Sequence, residues 1–285
     1  MKTVVLTMLA LIAFAGNSIL CRLALGDNAI DATSFTAIRL ISGIVVLFVI
    51  LFITKSNVKD DATKGSWKAS LMLFIYAITF SYAYISLETG VGALILFGSV
   101  QITMILTGIF LGNRLHKIEW LGVITAFVGF VYLVMPGVSA PPLLGFILMA
   151  IAGISWGFYT LAGKGSVNPL SDTAYNFLRT LPFLILILAL TFEHTSLTNK
   201  GVMLAIASGG LTSGIGYTIW YAALKHITVI QAAVVQLLVP VLATLAGIIF
   251  AREILSLHFI ISSIMILGGV LAVILGKHYF VNKQT

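Results

Sequence analysis

Charge is what this chain lacks most. Of its 285 residues, 9% are Asp, Glu, Lys or Arg and 60% are hydrophobic. A soluble globular domain carries about 25% charged residues. So few charges cannot coat a soluble surface of this size, which leaves lipid as the main solvent. Cysteine is nearly absent too. Cys21 alone excludes an internal disulfide and any cysteine cluster for metal. The five His residues fall near the ends of apolar runs, without metal-ligand spacing. No Asp or Glu falls in the middle of an apolar run. Proton coupling commonly uses a buried carboxylate, so this absence counts against proton antiport. No nucleophile and base pair up at catalytic spacing. Ala162-Gly-Lys164-Gly-Ser166 resembles a phosphate loop only superficially, since Gly165 follows the lysine and no strand precedes it. Neither enzymatic activity nor a cofactor is expected. The net charge of +7 raises the question of nucleic acid, but the basic residues lie in short loops between apolar runs, and no nucleic-acid partner is expected.

What the chain has in abundance is long hydrophobic runs, and they echo one another 140 residues apart. Arg39 in Phe35-Thr-Ala-Ile-Arg39-Leu40 falls on Arg179 in Tyr175-Asn-Phe-Leu-Arg179-Thr180, Gly92-Ala93 on Ala232-Ala233, Asn113 on Glu253 and Gly129 on Gly269. A bilayer core of ~30 Å needs roughly 20 apolar residues per helix. Ten such runs are legible, at about 3–25, 33–54, 66–88, 90–112, 118–136, 143–163, 171–192, 200–224, 228–250 and 256–279, with ends uncertain by roughly two to four residues. Helices 3 and 4 are expected to join near Thr89-Gly90. Lys2 ahead of the first run resembles a signal peptide, but removing that run would leave four segments facing five, so it is read as a spanning helix. Five spans per copy, an odd number, force the second copy into the bilayer from the opposite side, the signature of an inverted-repeat transporter. The fold class expected is an all-α integral membrane protein of ten helices in two inverted five-helix repeats, residues 1–137 and 138–285. Eleven Lys and Arg fall on the side with both termini and three on the other; Arg39 and Arg179, within helices, complete the sixteen. By the positive-inside rule both termini are cytoplasmic, in a bacterial-type inner (plasma) membrane.

Polar and aromatic residues deep in these helices are few, and a transporter needs such groups around a cavity near the midplane. The substrate-binding candidates are Asn17, Tyr76, Gln101, Trp156, Tyr159, Tyr217, Trp220 and Gln236, with Ser18, Thr79, Ser81, Tyr82, Ser99, Thr103, Ser155, Thr212, Ser213 and Gln231 as lesser ones. Each has a plainer role available: Asn and Gln side chains also glue helices together, and the aromatic rings also fill helix interfaces. Arg39 and Arg179 lie roughly 10 Å inside a helix start at 1.5 Å per residue. An arginine at a helix centre costs about 2.5–3.5 kcal/mol on insertion scales. A structural role is favoured for both, by snorkelling to the headgroups or by pairing with a carbonyl or carboxylate of the same repeat; the alternative is a cationic entrance for a substrate carboxylate. Gly108-xxx-Gly112, Gly153-xxx-Gly157 and Gly210-xxx-Gly214 suit close backbone approach. Gly209-Gly210 and Gly214-x-Gly216 crowd helix 8 with breakable positions and, with Pro240, are the hinge candidates.

Several of these residues carry a family resemblance. Gln236-Leu-Leu-Val-Pro240 followed by Ala251-Arg252-Glu253, the pair Trp156-Gly157, the run Tyr217-Thr-Ile-Trp220-Tyr-Ala-Ala-Leu224 and the Arg39/Arg179 pair resemble EamA-type repeats of the drug/metabolite transporter superfamily. The first half departs from the pattern, with Val100 where the proline falls and Gly112-Asn113-Arg114 in place of Gly-Glu-Arg. The resemblance covers about 3–277 and implies ten helices, a central cavity between the halves and alternating access. It further implies a small-molecule substrate, with export of amino acids or related small metabolites expected and efflux of amphipathic cationic drugs as the alternative. The lipid bilayer is the other expected partner, and a single copy of the chain the expected unit. An integral membrane enzyme or a purely structural membrane protein is the reading from another class, and the inverted repeat argues against the structural version.

Overall fold

A computed structural model describes residues 2–54, 64–112, 115–135, 140–163, 166–191, 195–224, 226–227, 232 and 235–281. Ten helices emerge: α1 (Lys2–Leu25), α2 (Ala32–Ile53), α3 (Trp67–Tyr84), α4 (Thr89–Phe110), α5 (Lys117–Val134), α6 (Leu143–Ala162), α7 (Pro169–Leu178 and Leu181–Thr191), α8 (Asn199–Ala207, Ser208–Ile215 and Gly216–Leu224), α9 (Leu238–Ala251) and α10 (Leu257–Val281). Eight of them, counting the described residues, are long and apolar enough to cross a membrane. The others are α3, whose Tyr and Ser residues lower its hydropathy, and α9, at 14 residues. The joint between α3 and α4 is residues 85–88, slightly before the position expected.

The helix starts follow from local chemistry. In lipid each unpaired backbone N–H is costly, so caps matter. Asp31 accepts from the Ser34 N–H at 2.8 Å, Ser66 from Ala69 at 3.1 Å, and Thr198 from Gly201 at 3.1 Å. Asn168 caps α7 with Pro169 at its first turn, where a missing N–H costs nothing. α4 has no cap of its own. The Glu253 carboxylate, from the end of α9, accepts from the Thr89 N–H at 2.7 Å and the Thr89 hydroxyl at 2.8 Å.

Two departures from regular helix are informative. α7 breaks at Arg179-Thr180 because Pro182 has no N–H for the Leu178 carbonyl and its ring crowds that carbonyl. Residues 171–192, expected as one run, are therefore two segments. In α8, Ser208–Ile215 form a π-helix over the glycine-rich stretch expected to be breakable. Such segments are rare and often mark functional sites. Pro240, by contrast, sits in the first turn of α9, and its carbonyl accepts from the Thr244 hydroxyl at 2.7 Å.

Packing displays the repeat. α3 and α4 pack on α6, as their counterparts α8 and α9 pack on α1, the counterpart of α6. α5 packs along α10, its own counterpart. Here Gly122 and Gly269 bring the backbones together: a Cβ on either would lie 2.5 Å from the other's carbonyl oxygen. Gly153 and Gly157 likewise seat α6 against Leu96, Val100 and Thr103 of α4. Gly112 is a correction to this pattern, since with φ at 94° and open space around it, it ends α4 rather than packing. At one seam the symmetry is plainly broken. α2 packs extensively on the first half of α8, whereas the matching pair, α7 and α3, touches sparsely.

The α2–α8 seam depends on Gly209, where an added Cβ would sit 2.0 Å from both the Arg39 carbonyl oxygen and the Ser42 hydroxyl. Gly209→Ala is expected to lower stability by about 1–3 kcal/mol through overpacking. Gly268→Ala, on open space in α10, should be neutral or slightly stabilising. Thermal melting of the two purified variants checks the contrast.

Candidate functional site

α1, α3, α4, α6 and α8 surround one narrow space between the halves. Its wall is Phe14, Asn17 and Ser18 of α1, Tyr76 and Phe80 of α3, Leu96 and Phe97 of α4, Trp156 of α6, and Thr212, Ser213 and Tyr217 of α8. Both halves contribute. The walls are drawn together, leaving room for little more than a water.

Asn17 organises the polar side. Its Oδ1 accepts from the Ser208 hydroxyl at 2.7 Å and the Thr212 hydroxyl at 3.3 Å, and its Nδ2 donates to the Tyr76 hydroxyl at 3.4 Å. Arg39 lies behind. Its Nη2 donates to the same Tyr76 oxygen at 3.0 Å, and the guanidinium sits 5.3 Å from the Tyr76 ring centre and 5.0 Å from that of Phe80. The π-helical stretch supplies Ser208, Thr212 and Ser213, so the irregular backbone of α8 lies against this network. The apolar side is a chain of rings. Trp156 meets Tyr76 at 4.8 Å, Tyr217 at 5.2 Å and Tyr159 at 5.2 Å, and Phe14 meets Tyr217 at 5.9 Å and Trp220 at 5.6 Å edge-on.

Of the residues singled out from the sequence, Asn17, Tyr76, Trp156 and Tyr217 line this space together. Tyr159 and Trp220 are buried one layer back, behind Trp156 and Phe14. Gln101 and Gln236 do not reach the wall; Gln101 is buried further along α4, with Nε2 unpartnered. Gln231 and Asn113 lie outside the described residues. Gly210 and Gly214 pack on Val46 of α2. Phe14, Phe80 and Ser208 are wall or network residues not singled out beforehand. Helical spacing was the available signal: Phe14 precedes Asn17 by three residues, and Phe80 follows Tyr76 by four.

The two arginines differ. Arg39 is 2% exposed and does not snorkel, and among the described residues its hydrogen bond goes to the Tyr76 hydroxyl in place of the carbonyl or carboxylate partner expected. Arg179, at the α7 break, donates to the Lys64 carbonyl and lies 5.9 Å from the Trp67 ring centre and 6.0 Å from that of Tyr175. Its carbonyl partner belongs to the other half, not to its own.

Both ends of the space are closed by bonds between the halves. At the end shared by the termini, Gly65 and Ser66 donate their N–H groups to Asp172 and Asn176 of α7, each at 2.9 Å. At the far end, Ile30 and Leu197 form a β-bridge, Ser196 N–H donates to Asp31 at 3.0 Å, and Thr198 donates to the Ala29 carbonyl. Glu253 on the start of α4 belongs to this end, with Arg22 3.6 Å away. Partial burial, then the charge of Glu253, pushes the nearby Glu88 carboxyl above its usual range, while Arg22 pulls it down.

Helices arranged as two inverted sets around a polar midpoint define the class: a membrane transporter. The EamA-like transporter family matches the chain over residues 1–135 and again over 143–275, and the chain belongs to that family. It is 47% identical over 269 residues to an uncharacterized protein of Pseudomonas aeruginosa, covering 94% of this chain and 93% of that one. It is also similar to the uncharacterized transporter YoaV of Bacillus subtilis, at 21% identity over 86% of this chain and 88% of that one. A crystal structure with 18% identity superposes with a TM-score of 0.66, covering 96% of this chain and 98% of the other, which shows a shared fold.

The Glu253 cap yields a prediction. A hydrogen bond to a charged group contributes about 1.5–3 kcal/mol. Glu253→Ala is expected to raise hydrogen exchange at Thr89–Gly92 by roughly tenfold or more, read by mass spectrometry in detergent or nanodiscs, with α5 and α10 unchanged.

Proposed function

We propose that this protein exports amino acids or related small metabolites by alternating access, with the space around Asn17 as the point that faces each side in turn. The observation that carries the reading is the position of that space: polar groups of α1, α3 and α8 meet at mid-span, between the halves, with hydrogen-bonded closures at both ends. A static membrane protein has no use for a polar centre that costs desolvation. In this reading residues 1–137 and 138–285 are the moving halves. The π-segment with Gly210 and Gly214 supplies the bend, and Pro240 a second one. Arg179 serves as a structural tie. The protein works as a single copy in the inner membrane, its termini cytoplasmic as the loop charges require.

Efflux of amphipathic cations is the second reading, favoured by the ring faces of Trp156 and Tyr217, which attract cations. The Arg39 charge behind Tyr76 opposes it, and the cavity wall carries no carboxylate among the described residues.

An overexpressing strain grown against toxic amino-acid analogues, dipeptides and lipophilic cations separates the two. Resistance to the amino-acid analogues, abolished by Asn17→Leu, is expected. Resistance to lipophilic cations alone would sink the metabolite reading. For topology, a C-terminal fusion to green fluorescent protein should fluoresce, and one to alkaline phosphatase should be inactive.

A further inference from the structure

We infer that the cavity holds a subsite for the carboxylate of an apolar organic acid or amino acid, built from the Tyr76 hydroxyl and the Asn17 amide, with Arg39 as its counter-charge. This deepens the transport reading and rests on it.

Arg39 poses an electrostatic problem. A guanidinium does not give up its proton in a protein, and here it is 2% exposed inside a membrane-spanning helix. Buried charges are normally paired, and arginines inside membranes mark substrate or ion pathways. Among the described residues the salt bridges are Arg22–Glu253 and Lys200–Asp27, and Arg39 takes part in neither. Its Nη1 has no hydrogen-bond partner. Two aromatic rings and one phenol oxygen are a partial answer to a full charge.

The network in front of Arg39 transmits that charge to the cavity. The Tyr76 oxygen receives Arg39 Nη2 and Asn17 Nδ2, which occupies both its lone pairs. Its own O–H is then left to donate. Asn17 Oδ1 is held by the Ser208 hydroxyl at 2.7 Å, while the single Thr212 proton lies closer to the Ser208 carbonyl at 2.7 Å than to Oδ1 at 3.3 Å, and Nδ2 keeps a second hydrogen available. Ser213, also on the wall, has an unpartnered hydroxyl. The cavity therefore offers the Tyr76 O–H and an Asn17 N–H as donors, with a positive charge behind them.

Such a lining recognises an acceptor-rich anion. A carboxylate presents two oxygens, one for Tyr76 and one for Asn17, and supplies the negative charge that Arg39 lacks. Phe14, Phe97, Trp156 and Tyr217 form the rest of the wall and suit an apolar body. A bare ammonium would face Arg39 at close range without compensation. Because the walls are drawn together, the ligand is admitted only when one of the end closures parts.

The test uses the purified full chain and four probes: L-phenylalanine, L-leucine, phenylacetate and phenethylamine. The three carboxylates should raise the melting temperature saturably and phenethylamine should not. Tyr76→Phe keeps the ring against Trp156 and Phe80 but removes the donor, and it should weaken carboxylate binding about tenfold. Arg39→Gln should abolish it. If Arg39→Gln does not fold, Tyr76→Phe still decides. Phenethylamine stabilising as well as the carboxylates, or Tyr76→Phe binding them like the wild type, overturns the subsite and leaves the transport reading standing. No saturable response to any probe, together with no uptake of the four into proteoliposomes, overturns both.

Discussion

Helices in lipid gain nothing from pressing one leucine against another, because the acyl chains are equally apolar. Association must come from close backbone approach and from polar bonds, and this protein separates the two by location. Close approach, at Gly122 with Gly269, Gly153 and Gly157 on α4, and Gly209 on α2, holds the framework. Polar bonds between the halves gather at the two ends and at the centre. Backbone contact between glycines is lost all at once if two helices separate. A few hydrogen bonds at a helix end can be exchanged with water one by one, and in the proposed reading they are the part that opens.

That distinction gives meaning to the broken symmetry. α2 against α8 and α7 against α3 are related by the repeat, yet one is sealed by Gly209 and Gly210 and the other relies on the bonds of Asp172 and Asn176. The first seam closes the end away from the termini; the second closes the end that holds them. The arginines follow the same division. Arg39 lies beneath the glycine seam, its carbonyl facing Gly209, and its side chain is turned to the centre. Arg179 stands at a helix break and reaches a loop carbonyl. Pro182 is sufficient cause for that break, since the proline alone removes the hydrogen bond that would carry α7 through it. In α2 the position matching Pro182 is Ser42, whose hydroxyl donates to the Arg39 carbonyl at 3.1 Å, and that helix runs on unbroken.

Much of this was legible from residues alone. Hydrophobic run length placed the ten helices, because the bilayer fixes the length a span must have, although α9 begins only at Leu238, well inside the run expected over 228–250. Asn17, Tyr76, Trp156 and Tyr217 stood out because polar and aromatic groups are scarce in such helices, and they do meet at one place. Gln101 and Gln236 stood out for the same reason and do not, since scarcity says nothing of which face a residue occupies. The break in α7 was readable from Pro182 but hidden by the unbroken hydropathy on either side. The surroundings of Arg39 were not readable. Its neighbours Tyr76 and Phe80 come from another helix, and the repeat suggested an equivalence with Arg179 that tertiary packing removed.

The cost of burying Arg39 links these points. A membrane protein with no use for the charge could place glutamine or methionine there and avoid that cost. Pairing with a resident carboxylate would also remove the cost, but it would neutralise the field that reaches Tyr76. The arrangement instead leaves the charge half-answered by rings and a phenol, directly behind a donor that lines the space between the halves. A ligand that completes the pairing would bind more tightly when the walls are closed around it than when water screens the site, because the interaction strengthens as the dielectric falls. Differential affinity of that kind is what lets a bound ligand shift a two-state equilibrium. In the proposed reading, an incompletely compensated charge at the centre and hydrogen-bonded closures at the ends are two parts of one device: the first would supply the bias, and the second would keep the barrier to opening low.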